Sequence, residues 1–91
     1  MQVLYKTITA DTQVATTECY LVGAELSNGS NTSMIVYDEP DSTATAGKKV
    51  STPQVTSYNR QASIVFPMPG VKCDGIYVDW NAGVGTIYYY Y

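Results

Sequence analysis

The feature that most limits what this chain can become is its punctuation. Apolar residues come in short alternating runs, and each run ends in Gly, Pro, Asn or Asp before a helix could complete three turns. No window places apolar residues at i, i+3, i+4 and i+7 over helical length, whereas period-two alternation bounded by turn residues is the mark of strands. Residues 2–9 set Val3 and Tyr5 opposite Leu4 and Ile8, and residues 11–17 are polar, a turn or a weak strand. Residues 18–28 place Tyr20, Val22, Ala24 and Leu26 on one face, with Gly23 suggesting a bulge or a close backbone approach. Asn28-Gly29-Ser30-Asn31 reads as a turn. Residues 32–38 are apolar on both faces, as a central strand would be.

The second half continues the rhythm. Residues 38–47 are polar, contain Pro40 and predict an exposed, mobile loop. Residues 48–52 and 54–58 are short strands divided by Pro53, and residues 61–66 form a firmer one stopped by Pro67-Met68-Pro69-Gly70. Residues 73–80 alternate as one strand, with Ile76, Val78 and Trp80 opposite Tyr77 and Asp79. Asn81-Ala82-Gly83 turns the chain into a last strand over residues 84–91. About seven or eight strands spaced near ten residues apart predict an all-β fold. The unequal loops favour a two-sheet sandwich with jelly-roll-like connections, formed as one domain over residues 1–91.

Charge narrows the function. Five basic residues against eight acidic ones give a net charge of −3, and no cluster of Lys and Arg stands out. Nucleic acid and anionic membrane surfaces are therefore not expected partners. Charged residues make up 14% of the chain, against about 25% in ordinary soluble domains, while tyrosine occurs nine times. A hydroxyl-rich, weakly charged surface suits coverage by other protein subunits. It equally suits the Thr and Tyr preference of strands.

Chemistry finds little to work with. No His is present, the lysines lie in polar stretches, and hydroxyls without a neighbouring base are not nucleophiles. Asp38, Glu39 and Asp41 share one Pro-containing loop, which offers neither the rigid paired carboxylates of a glycosidase nor the spacing of an EF-hand. Gly83-Val84-Gly85 precedes a strand and not a helix, so it cradles no phosphate. Cys19 and Cys73 cannot build a zinc site without His, and one disulfide between them is possible in principle. After Met1 no basic-then-apolar leader follows and no apolar run is long enough to cross a membrane, so synthesis in a cytosol and buried, inert free thiols are expected. The expectation is a protein that is not an enzyme and holds no cofactor or metal.

One feature is unusual: Tyr88-Tyr89-Tyr90-Tyr91. Successive strand residues alternate between faces, so half of these rings enter the core and half project. The expected core anchors are Trp80, Tyr88 and Tyr90; the expected interface residues are Tyr89 and Tyr91, joined by Tyr77. An exposed aromatic patch marks a partner surface, could stack on sugars, or could simply tolerate water. An apolar, weakly charged terminal strand is also an edge that assembly would cover.

Residues 22–38, ending in Ser33-Met34-Ile35-Val36-Tyr37-Asp38, resemble small β-sandwich proteins encoded among bacteriophage structural genes. So does Phe66-Pro67-Met68-Pro69-Gly70-Val71-Lys72-Cys73-Asp74-Gly75-Ile76-Tyr77-Val78 with the tyrosine-rich strand that follows; together the resemblance covers roughly residues 19–91. It implies a virion component made in the host cytoplasm. The form expected is a head decoration (cement) protein, a homo-oligomer and most simply a trimer, seated on the major capsid or another virion protein. A small tail or neck protein is the nearby alternative, and a carbohydrate- or receptor-binding module the one from another class. Pairing with capsid strands through an N-terminal arm, as decoration proteins often do, is not the attachment expected from this sequence.

Overall fold

A computed structural model describes residues 2–28, 31–56 and 61–91. Among them are ten strands: β1 (Leu4–Ile8), β2 (Thr12–Ala15), β3 (Cys19–Ser27), β4 (Thr32–Tyr37), β5 (Lys49–Ser51), β6 (Gln54–Val55), β7 (Gln61–Val65), β8 (Val71–Cys73), β9 (Ile76–Trp80) and β10 (Val84–Tyr90). One short 3-10 turn, Ala46–Lys48, precedes β5. All pairings are antiparallel. The first sheet runs β1-β10-β3-β7 with β8 also on β3; the second runs β2-β9-β4-β5 with β6 also on β4.

Two of these strand positions are interrupted strands. Pro53, which has no N–H to give a ladder, separates β5 from β6, although its carbonyl still accepts from Met34 N–H at 3.0 Å. The Phe66–Gly70 segment separates β7 from β8 along the same flank of β3. Counting each broken pair once leaves eight positions in the orders 1-8-3-6 and 2-7-4-5. This is the jelly roll that the unequal loops predict. The chain crosses between sheets at almost every step, so the core lies between the two inner faces.

That core is aliphatic. Ile8, Leu21, Leu26, Met34, Val36, Ile76, Val78 and Ile87 are wholly buried, with Cys19, Cys73, Ala15, Ala24, Val55 and Tyr89 around them. Burying each large aliphatic side chain contributes about 1.5–3 kcal/mol.

Three expectations need correction. The inward residues of β3 are Cys19, Leu21, Ala24 and Leu26, not one unbroken alternation through Tyr20 and Val22. A bulge resets the phase: Tyr88 pairs with Gly23 and Tyr89 with Leu21, so Val22 is the extra residue. Its carbonyl accepts from Phe66 N–H at 2.8 Å, where β7 leaves the sheet. Next, residues 73–80 are not one strand. Cys73 ends β8 in the first sheet and Ile76 begins β9 in the second, with Asp74 and Gly75 making the crossing.

Third, the 38–47 segment is exposed from Pro40 onward but tied down at several points. Gln13 Nε2 donates to Glu39 O at 2.9 Å and also reaches Ala15 O and Ile76 O at 2.8 and 3.1 Å. Asp38 Oδ1 accepts from Asp74 N–H at 2.6 Å, and Asp38 N–H donates to Lys48 O at 2.8 Å. A β-carbon on Gly75 would collide with Pro40 Cα and stand 2.8 Å from Glu39 O, so only glycine fits under this segment. The expected 28–31 turn has Asn28 and Asn31 at φ 58° and 51°, left-handed values that asparagine tolerates. Gly29 and Ser30 lie outside the described residues, as do Ser57 and Tyr58 of the expected 54–58 strand.

Candidate functional site: a tyrosine face on the first sheet

The outer face of β1, β10, β3 and β8 carries the chain's aromatic surface. Ile87, wholly buried, fixes the phase of β10, so Gly85, Ile87 and Tyr89 point inward and Thr86, Tyr88 and Tyr90 point out. Tyr5 on β1 stands directly opposite Tyr88, and Tyr20 on β3 directly opposite Tyr90. The Tyr20 and Tyr90 rings stack with centroids 5.0 Å apart. Tyr88 lies beside Gly23, where an added β-carbon would come within 3.8 Å of its ring and 2.9 Å of Ile64 O.

The two half-buried rings of β10 are anchored at their polar ends. Tyr88 Oη donates to Glu25 Oε1 at 2.9 Å, and Tyr90 Oη donates to Pro69 O at 2.6 Å. The Glu25 bond, then burial, raises the Tyr88 phenol above its ordinary value. Exposed apolar side chains adjoin these rings: Tyr5 is 71% exposed, Val65 on β7 78% and Met68 in the following turn 52%. Glu25 and Lys72 are the charges adjoining it on β3 and β8.

The sequence-predicted site residues are distributed differently. Tyr89, expected at an interface, belongs to the core, where burial lifts its phenol upward. Tyr91 is exposed and meets Tyr89 edge-on, centroids 5.8 Å apart. Tyr88 and Tyr90, expected as core anchors, lie half-buried on the outer face. Tyr77 faces outward but on the second sheet, stacked on buried Tyr37 at 6.2 Å, so it does not join the other rings. Trp80 packs against the core as a partly buried ring, its indole N–H donating to Gly83 O at 3.0 Å.

Four identical residues carry no alternation of their own, and the phase had to be read from Ile87 just before them. With that phase, Tyr88 and Tyr90 fall outward. The reset at Gly23 then brings Tyr20 beside Tyr90. Tyr5 was visible on the outward side of its strand but nothing local tied it to the C-terminus; the β1–β10 pairing does that.

Elsewhere the polar groups serve structure. Among the described residues no group of three or more His, Cys, Asp or Glu side chains converges as a metal site would. Glu39 Oε2 accepts from Thr45 Oγ1 at 3.0 Å within the acidic loop, while the Asp38 carboxylate holds the Asp74 backbone. An open cleft of about 280 Å³ is lined by neutral amides and hydroxyls, including Asn31, Ser33, Gln54 and Asn81. It offers hydrogen bonds but no nucleophile paired with a base. No helix among the described residues is long and apolar enough to cross a membrane.

Fold and surface together define a small jelly-roll sandwich with one aromatic face. In comparisons with known proteins, no family model, no curated protein and no solved structure matches the chain.

Proposed function

We propose that this chain is a non-enzymatic structural protein that self-associates and fastens neighbouring subunits through the tyrosine face of its first sheet. The observation that carries the reading is the grouping of Tyr5, Tyr20, Tyr88 and Tyr90 on one surface, flanked by exposed Val65 and Met68. Tyrosine is enriched and charge depleted at the centres of protein interfaces. Rings already held by stacking and hydrogen bonds lose little freedom when covered. The virion setting, as a capsid decoration protein or a small tail or neck protein, rests on the sequence resemblance to phage structural proteins. The jelly roll agrees with it, since the architecture recurs in viral capsid and lectin domains, but a fold alone assigns no function.

The test is the native mass of Tyr5→Ser/Val65→Ser, which alters two exposed side chains and leaves the core intact. Wild-type protein should run as an oligomer by size exclusion with light scattering, and the variant should fall to lower mass with unchanged circular dichroism. A variant as oligomeric as wild type, or a wild type monomeric at high concentration, overturns the reading. The stacked rings beside Glu25 and Lys72 favour one second reading, a saccharide platform. A monomeric wild type that binds an oligosaccharide array, and loses that binding in the variant, would decide for it.

A further inference from the structure

Cys19 and Cys73 are direct partners in the β3–β8 ladder. Both are free, both belong to the core, and each is 1% exposed. Directly opposed residues on antiparallel strands have Cα atoms about 4.5 or 5.5 Å apart, according to whether the pair is hydrogen-bonded. A disulfide spans Cα separations of about 4.4–6.8 Å. The register alone therefore meets its distance requirement, and the two side chains share the inner face.

Accessibility sets the condition for reaction. Burial, reinforced by the Asp38 carboxylate, pushes the Cys19 thiol up to about 11 and the Cys73 thiol up to about 12. The Cys73 Sγ–H also points to Val71 O at 3.5 Å. Protonated, covered thiols are poor nucleophiles, so the folded interior protects them. β8, however, is three residues long and among the described residues pairs with β3 alone. A strand so short and held from one side opens locally at small cost.

We propose that Cys19 and Cys73 form a latent cross-strand disulfide site, closed by exchange with a small-molecule disulfide when the protein meets oxidising surroundings. On opening of β8 the Cys73 thiol gives its proton to water, and the thiolate attacks one sulfur of the small disulfide. One small thiolate leaves and a mixed disulfide remains on Cys73. The Cys19 thiol then gives its proton to water and its thiolate attacks the Cys73 sulfur, forming the Cys19–Cys73 bond and releasing the second small thiolate. The two small thiolates take up the two protons. Two protein thiols are oxidised and one small disulfide is reduced to two thiols, with no other reagent. The product bolts the edge strand β8 to the central strand β3 and restrains the unfolded chain between residues 19 and 73.

The test incubates the folded chain with oxidised glutathione, quenches with acid, alkylates under denaturing conditions and weighs the product. The expected species is a single chain lighter by two hydrogens, refusing the alkylating reagent and melting several degrees higher until reduced. Cys19→Ala treated in the same way should stop at a glutathione adduct on Cys73. Two alkylatable thiols after equilibration in excess oxidant, with mild denaturant present to open β8, would overturn the proposal. So would an internal disulfide that lowers the melting temperature.

Discussion

Tyr20 and Tyr90 stack across the β3–β10 ladder, their planes 15° from parallel, and the Tyr90 phenol is bonded to the turn at Pro69. One contact thus joins three separate stretches of chain: a central strand, the last strand and the turn between β7 and β8. The aromatic face is therefore a consequence of tertiary pairing, not of the terminal tyrosine run by itself.

Neighbouring tyrosines should behave in opposite ways. Tyr89→Ser removes a buried ring and should cost about 2–4 kcal/mol of stability, as large-to-small core changes do. Tyr5→Ser, on a strongly exposed residue, should stay within about 0.5 kcal/mol of wild type. Urea denaturation of both variants gives the comparison; equal losses would contradict the phase that Ile87 imposes on β10.

Gly75→Ala should be damaging although alanine is small. The new methyl group would meet backbone at Pro40 and Glu39, which cannot rotate away as a side-chain tip can. Overpacking of this kind costs about 1–3 kcal/mol. Gly47→Ala has open space around it and serves as the control, expected to melt like wild type.

Gln13→Leu should loosen the same region by another route. Its amide nitrogen serves the carbonyls of Ala15, Glu39 and Ile76, and an apolar side chain would leave them without that donor. A loss of about 1–3 kcal/mol is expected. Amide exchange should quicken first at Asp38, whose N–H holds Lys48 O at the far end of the loop.

Stability should fall on the alkaline side in a way the cysteines control. Below the ordinary thiol value of 9.0 the folded and unfolded chains both keep these protons, and the buried thiols' contribution is fully present. As pH rises from there toward about 11 and about 12, the unfolded chain alone releases them. Each pH unit in that window then removes about 1.4 kcal/mol per thiol. Urea midpoints under reducing conditions at pH 8 and about pH 10.5 should diverge more for wild type than for Cys19→Ala/Cys73→Ala. Equal divergence would show that the tyrosines alone govern the alkaline limb.

The strand rhythm makes the all-β sandwich and its jelly-roll-like connections legible in the sequence, because turn residues fall where the chain changes sheets. What stayed hidden was phase. Val22 breaks the alternation of β3, and a bulge has no residue signature beyond the glycine next to it. Asp74-Gly75 is too short to announce a crossing between sheets, and the alternation of residues 73–80 runs through it unbroken. The ties on the acidic loop come from Gln13 and Asp74, residues far away in sequence, and no local pattern announces such partners.

The Val22 bulge also limits how this chain can vary in length. β3 consists of two half-strands on either side of Val22, each with its apolar residues alternating inward, and the bulge absorbs the one extra residue. Without Val22 the strand would be regular, with Cys19, Leu21, Ala24 and Leu26 still alternating inward against the same β10 partners. One residue inserted or deleted elsewhere in β3 would instead turn half of its oily side chains toward water. Point changes at its exposed positions should be widely tolerated, whereas single-residue insertions and deletions away from Val22 should almost never survive.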